Sequence, residues 1–81
     1  MGVELVLYTR KACGLCDEML AQLEPLLHTH RASITVVDIA GDAGLMDRFG
    51  VRIPVLLCQG EILCEGHLDP DLVVQSLRRH R

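Results

Sequence analysis

Two cysteines with two residues between them, Cys13-Gly14-Leu15-Cys16, stand where an apolar run gives way to an amphipathic one. The apolar run is Val3-Glu4-Leu5-Val6-Leu7-Tyr8, and it reads as a strand. A helix is expected to begin at or just after Cys13. A C-x-x-C at such a junction puts one sulfur at an exposed helix N-terminus and the other one turn further in. The unpaired N–H groups of the first turn and the positive end of the helix dipole favour a thiolate over a thiol. A thiolate is the nucleophile of thiol–disulfide exchange, and a nearby second thiol can resolve the mixed disulfide. The arrangement therefore points to redox chemistry.

Two other uses of these sulfurs stay open on the residues alone. Cys13 and Cys16 could be ordinary buried cysteines, or half of a zinc site completed by Cys58, Cys64 or His67. A structural zinc site wants two closely spaced pairs, and Cys58 and Cys64 are too far apart in sequence to form the second. A two-residue turn at Gln59-Gly60 would pair Cys58 with Glu61 and Cys64 with Val55. A turn moved by one residue would pair Cys64 with Leu57. Neither register sets the two sulfurs opposite each other, so both are read as small packed hydrophobes. Cys64 is also open to modification or glutathionylation. His28 and His30 would point to different faces of a helix, which suits a solvated helix end better than a metal site. Arg10 is a loop arginine whose charge could support the Cys13 thiolate.

The elements that must position the cysteines come in order along the chain. Met19, Leu20, Leu23, Leu26 and Leu27 recur at helical spacing after Leu15, with Asp17, Glu18, Gln22 and Glu24 on the other side. Pro25 removes a helical hydrogen bond, and a kink is expected there because Leu26 and Leu27 continue the apolar stripe. Ser33 to Ile39 is β-branched and alternating, a second strand, with Asp38 placed to cap the turn after it. Ala40 to Gly44 reads as a turn, Asp42 as the cap of a short helix through Phe49, and Gly50 as its stop. Arg52 to Cys58 is a third strand and Glu61 to Glu65 a fourth, joined as a hairpin. Asp69-Pro70-Asp71 signals a helix start, and Leu72, Val73, Ser76 and Leu77 carry that helix to the C-terminus. The order is β-α-β-α-β-β-α, an α/β fold with a four-stranded mixed sheet covered by helices.

Composition narrows the rest. The chain has 81 residues, enough for a single small domain over 1–81. Apolar residues make up 49%, which supports a buried sheet and argues against a disordered chain. Aromatic residues are 2% and the formal charge is −3, so neither base stacking nor a basic field suits a nucleic-acid partner. The basic run Arg78-Arg79-His80-Arg81 reads as favourable charge at a helix C-terminus. No run reaches the roughly 18 apolar residues of a membrane span. No charged leader precedes the first strand, so secretion is not expected, a cytoplasmic location is, and the cysteines are read as reduced thiols or redox centres.

The chain resembles the thioredoxin-fold superfamily, and most closely the small bacterial glutaredoxin-like proteins. The resemblance is carried by Leu7 to Asp17 around the C-x-x-C, by Val36-Val37-Asp38-Ile39, by Phe49 to Leu56, and by Gly66 with Asp69. It implies a minimal glutaredoxin-type fold with Pro54 in cis, facing the C-x-x-C across the sheet edge. Pro54 offers no N–H, and the Ile53 backbone would be left to pair with an incoming substrate strand. By the same resemblance Cys13 is the attacking and Cys16 the resolving cysteine. Lys11 would hold a glutathione carboxylate, Gly66 is the second glycine of a Gly-Gly turn, and Asp69 meets the glutathione amine. The chain departs from the pattern at Glu65, which replaces the first glycine of that turn and adds negative charge. It departs again in Cys-Gly-Leu-Cys, which lacks the aromatic residue of Cys-Pro-Tyr-Cys, and in Asp17 and Glu18, which compete for the dipole. These differences bear on glutathione recognition rather than on the fold.

The expectation is thus a thiol–disulfide oxidoreductase acting as a monomer on protein or glutathione mixed disulfides. No bound cofactor or metal is needed, because the electrons reside on the sulfurs, and glutathione or a thiol reductase would restore them. A thioredoxin-fold binding module or redox sensor with little turnover is the alternative. A metal-handling protein using Cys13 and Cys16 is a third.

Overall fold

A computed structural model describes residues 2–80. Strand β1 (Glu4–Thr9) is followed by helix α1 (Gly14–Thr29), strand β2 (Ser33–Asp38), a single 3-10 turn (Ile39–Gly41) and helix α2 (Ala43–Phe49). Strands β3 (Val55–Cys58) and β4 (Glu61–Glu65) and helix α3 (Pro70–His80) complete the chain. The β-α-β-α-β-β-α order expected from the sequence is the order observed. The sheet runs β2-β1-β3-β4, with β1 parallel to β2 and antiparallel to β3, and β3 antiparallel to β4.

Alternation along β1 divides the core in two. Leu5 and Leu7 are fully buried on one face with Met19 and Leu23 of α1, Leu56 and Cys58 of β3, and Val73 and Leu77 of α3. Val6 and Tyr8 turn to the other face, where they meet Ile39, Phe49, Val55 and Leu57. Helices α1 and α3 therefore cover one side of the sheet and α2 the other. Val6 and Tyr8 are half-buried, so β1 is covered on both faces but sealed on one. The chain has one Tyr, one Phe and no Trp, and the two aromatic rings pack together with centroids 5.1 Å apart.

The caps read from the sequence are in place. Asp38 Oδ1 accepts the Ala40 N–H at 2.9 Å, and Asp42 Oδ1 accepts the Leu45 N–H at 3.0 Å. Asp69 Oδ1 accepts the Leu72 N–H at 3.2 Å at the head of α3. Helix α1 continues through Pro25 to Thr29, and Leu26 and Leu27 still pack against the first core. His28 is exposed near the end of α1 and His30 caps it. Arg78, Arg79 and His80 occupy the last turn of α3, where Arg79 reaches Glu61 at 3.3 Å; Arg81 lies outside the described residues.

Several expectations need correction. Strand β2 ends at Asp38, because Ile39 already turns into the 3-10 segment. The expected turn through Gly44 is shorter, since α2 starts at Ala43 once Asp42 supplies the cap. Strand β3 begins at Val55, not Arg52: the Arg52 and Ile53 N–H groups both donate to Phe49 O, at 2.8 and 3.1 Å, and so extend the end of α2 instead of joining the sheet. Cys64 pairs with Leu56 rather than Val55. A bulge between Leu56 and Leu57 leaves Leu63 as the extra residue, so Leu63 and Cys64, adjacent in sequence, both enter the first core. The turn itself is as expected, with Gln59 and Gly60 both at positive φ, 51° and 83°, the conformation two-residue hairpins require. Leu72 is 39% exposed and lies off the buried stripe of α3, which Val73, Ser76 and Leu77 form.

Leu7 is fully buried in the sealed face, whereas Val51 is 100% exposed. Leu7→Ala is expected to cost about 2–5 kcal/mol in urea unfolding, and Val51→Ala to stay within about 0.5 kcal/mol of wild type. Equal losses would show that the core is not organised around β1.

Candidate functional site

The site begins where β1 ends. Beyond Thr9 the chain passes through the exposed residues Arg10, Lys11 and Ala12. Ala12 takes a left-handed conformation at φ 58°, unusual for a residue with a Cβ and costing about 1–2 kcal/mol. That residue reverses the chain into Cys13, which is the N-cap of α1. N-caps usually offer a side-chain oxygen to the orphan N–H groups of the first turn. Here the sulfur does so: the Cys16 N–H donates to Cys13 Sγ at 3.1 Å, and the Asp17 N–H donates to Cys13 O at 3.1 Å.

Cys13 and Cys16 form a disulfide with their Cα atoms 5.2 Å apart. Their exposures differ. Cys13 is half-buried at the tip of the helix, while Cys16, one turn in, is 2% exposed. An attacking reagent therefore meets Cys13 first. Asp17 and Glu18 are exposed, so solvent weakens their competition for the helix end without removing it.

A second segment converges on the same end of the sheet. Tyr8 near the end of β1 pairs with Val55 at the start of β3, so the residues before Val55 lie beside the exit from β1. The Ile53–Pro54 peptide is cis and Pro54 is buried. The Ile53 N–H is already engaged by Phe49 O, so only its carbonyl remains to meet an incoming strand. Pro54 O accepts the Gly66 N–H at 2.8 Å, which fastens the loop after β4 to the loop before β3. Gly66 has φ 75°, a conformation that explains glycine at this turn.

An open cleft runs between the first two turns of α1 and this turn. Leu15, Glu18, Met19 and Gln22 form one wall and Gly66, His67 and Leu68 the other. Gly66 is thus brought to the helix that carries the cysteines. Lys11, Ile53 and Asp69 are not in the cleft wall. Lys11 is exposed on the loop before Cys13, and Asp69 is occupied as the cap of α3. Sequence reasoning did not reach Glu18 and Gln22 as cleft residues, and it considered His67 only as a zinc ligand. The one signal for them in the chain is the one-turn spacing of Leu15, Glu18 and Gln22 after the motif.

Glu65 does not stand as a free charge beside the site. It forms an ion pair with Arg52, whose guanidinium also lies 5.0 Å from the Phe49 ring centroid. The hydrogen bond from Arg52 holds the Glu65 carboxyl below the usual carboxylate range, and the same bond raises Arg52. Sequence reasoning misses the pair because it depends on register: Glu65 lies opposite Val55, just past Arg52.

Cys58 and Cys64 are free and buried. Burial pushes the Cys64 thiol up, only partly offset by the Asp69 N–H that donates to its sulfur at 3.4 Å. Such a thiol is a poor nucleophile, which argues against the modification considered for it. Among the described residues no three His, Cys, Asp or Glu side chains gather into a group able to hold a metal ion, and no helix is long and apolar enough to cross a membrane.

Comparison with known proteins agrees with this geometry. The family model described as Glutaredoxin-like domain (DUF836) matches residues 4–78. A protein from Nitrosomonas europaea, Ne2328, is 33% identical and superposes with a TM-score of 0.87, covering 95% of this chain and 93% of its own. A protein from X. campestris, XcR50, is 29% identical with a TM-score of 0.68, over 95% of this chain and 99% of its own. A mutant thioredoxin from Halobacterium salinarum is 26% identical with a TM-score of 0.65, over 98% of this chain and 74% of its own. No curated protein matches the chain. The fold is thioredoxin-like, and the chain belongs to the glutaredoxin-like domain family.

The four sulfurs lead to two expected outcomes. In the reduced protein, iodoacetamide near pH 6 should label Cys13 at least about tenfold faster than Cys64, read by peptide mass mapping, since only Cys13 combines partial exposure with a helix N-terminus. Equal labelling of all four would remove Cys13 as nucleophile. The second concerns alkali. Unfolded Cys64 ionises near about pH 8.5, while folded Cys64 keeps its proton to higher pH. The unfolded state then binds fewer protons, so stability is lost as pH rises from about 8 upward. Cys64→Ala should flatten that slope in urea titrations at pH 7 to 10, whatever it does to absolute stability.

Proposed function

We propose that this chain, a member of the glutaredoxin-like domain family, is a thiol–disulfide oxidoreductase that cycles Cys13 and Cys16 between dithiol and disulfide. One observation carries the reading: the accessible sulfur of Cys13 caps α1 and receives the Cys16 N–H, with the Cys16 sulfur buried one turn behind it. A backbone N–H aimed at sulfur is worth more once the sulfur is charged, since a hydrogen bond to an ionised group contributes about 1.5–3 kcal/mol against about 0.5–1.5 kcal/mol for a neutral one. The helix terminus adds about 0.3–1 kcal/mol in the same direction. Both terms favour the thiolate.

In the reduced protein the Cys13 thiolate attacks one sulfur of a substrate disulfide. A mixed disulfide forms, and the first substrate thiolate leaves and takes a proton. The Cys16 thiol gives up its proton and attacks Cys13 Sγ, which expels the second substrate thiol. Two electrons have passed from the protein dithiol to the substrate, and the protein holds the Cys13–Cys16 disulfide. A thiol reductant, either glutathione or a dithiol reductase, reverses the change. No bound cofactor takes part.

The segment before β3 serves as the platform for the substrate chain. Buried Pro54 and the Gly66 N–H that donates to its carbonyl fix that segment, and the Ile53 carbonyl is left to accept a hydrogen bond from the substrate backbone. Lys11, exposed on the loop just before Cys13, offers a cation to an anionic group of the substrate. Asp69 acts mainly by holding α3 and the turn in place. The partners are disulfide-bearing proteins or glutathione adducts, met by a monomer in the cytoplasm.

The test is equilibration of the purified protein in graded glutathione redox buffers, with Cys13→Ser as control. A reversible two-electron couple that disappears in Cys13→Ser supports the reading, and Cys16→Ser should accumulate the mixed disulfide on Cys13. Absence of any couple across the buffer range would leave a thioredoxin-fold binding module or redox sensor as the better description.

A further inference from the structure

The cleft beside the motif has a chemistry of its own. It is lined by Leu15, which lies between the two cysteines in sequence, and by the 66–68 turn. Leu15, 45% exposed, together with Met19 and Leu68 gives it apolar stretches. Its polar side chains are Glu18, Gln22 and His67, and no Lys or Arg lines it. The Gln22 amide lies 3.5 Å from Glu18 Oε1, one turn away on the same helix.

The backbone at the other wall has few donors left. The Gly66 N–H donates to Pro54 O and the His67 N–H to Glu65 O, both at 2.8 Å. The Asp69 N–H donates to Cys64 Sγ at 3.4 Å, and Asp69 Oδ1 takes the Leu72 N–H at 3.2 Å. The Gly66, His67 and Asp69 N–H groups are thus already engaged. An anion entering the cleft would meet the Glu18 carboxylate and find these donors spent. A long cationic side chain fits better: its methylenes cover the apolar stretches while its head meets Glu18.

We infer that this cleft makes the protein selective for polypeptide disulfides that carry Lys or Arg next to the reactive cysteine, and against glutathione, whose net negative charge opposes Glu18. The inference rests on the oxidoreductase reading and names its substrate class. Glu18 is a specificity residue: it touches the side chain beside the substrate disulfide and takes no part in sulfur exchange. Ion pairs at exposed sites are weak, so the selectivity is of moderate size and falls as salt rises.

The experiment uses the prereduced full chain in single-turnover stopped flow. Its substrates are three short homodimeric peptide disulfides, identical except for Lys, Gln or Glu beside the cysteine, and oxidised glutathione. At low ionic strength the Lys peptide should react about fivefold faster than the Gln peptide, with the Glu peptide and oxidised glutathione slower still. Glu18→Lys should bring the Lys-to-Glu rate ratio to one or below. Glu24→Lys makes the same change in net charge on the exposed side of α1 and should leave the ratio within about twofold of wild type. Equal rates for all peptides, or the same loss of preference in Glu18→Lys and Glu24→Lys, would overturn the role of the cleft while leaving the oxidoreductase reading intact. Failure to reduce any of the four disulfides would overturn both.

Discussion

The working end of this molecule depends on one hydrogen bond, from the N–H of Cys16 to the sulfur of Cys13. It exists only if α1 starts at Gly14, with Cys13 as its cap. That start is set by where β1 stops. β1 is held on both sides, by six residue pairs to β2 and four to β3, and pinned by fully buried Leu5 and Leu7. Between Thr9 and Cys13 the chain has only three residues in which to leave the sheet and enter the helix. The left-handed turn at Ala12 is how it does so. The core and the chemistry are therefore coupled through a short connection. Loosening β1 would unseat the sulfur, although Leu5 and Leu7 never touch a substrate.

Features encoded locally are legible in the chain itself. The C-x-x-C at a strand–helix junction, the caps Asp38, Asp42 and Asp69, and the Gln59-Gly60 turn each rest on a few neighbouring residues with a strong conformational preference. Features set by register are not. Leu63 and Cys64 are consecutive apolar residues, and simple alternation would send one of them outward. The bulge opposite Leu56 and Leu57 turns both inward. The Arg52–Glu65 ion pair likewise joins residues far apart in sequence and exists because Glu65 faces Val55. Ile53 shows a third limit. The resemblance implies an Ile53 backbone free to pair with a substrate strand, but the end of α2 is close enough to claim its N–H.

These register effects change the electrostatics of the site. Glu65 in a turn that resembles Gly-Gly looks like an added negative charge. With Arg52 bound to it, that charge is largely neutralised, and Arg52 in turn rests against the Phe49 ring beside Tyr8. The ion pair and the bond from Gly66 to Pro54 both tie the turn after β4 to the loop before β3. An exposed pair of this kind adds little stability by itself. Its effect is on charge placement: Glu18 is left as the carboxylate lining the cleft beside the cysteines.

Likeness of motif and likeness of ligand contact separate at this point. Gly66 and Asp69 stand at the positions that the resemblance assigns to glutathione, and the turn they form is present. Yet the Gly66 N–H holds the Pro54 carbonyl, the Asp69 N–H holds the Cys64 sulfur, and the Asp69 carboxylate caps α3. Each N–H has an intramolecular partner that a ligand would have to displace, and breaking a satisfied hydrogen bond to form another gains little net free energy, whereas the carboxylate keeps its second oxygen open. These residues account for the shape of the turn without any ligand. In the proposed selectivity, recognition falls to other groups at the same edge, the Glu18 carboxylate and the apolar side chain of Leu15, and these differ from the residues by which the family is recognised.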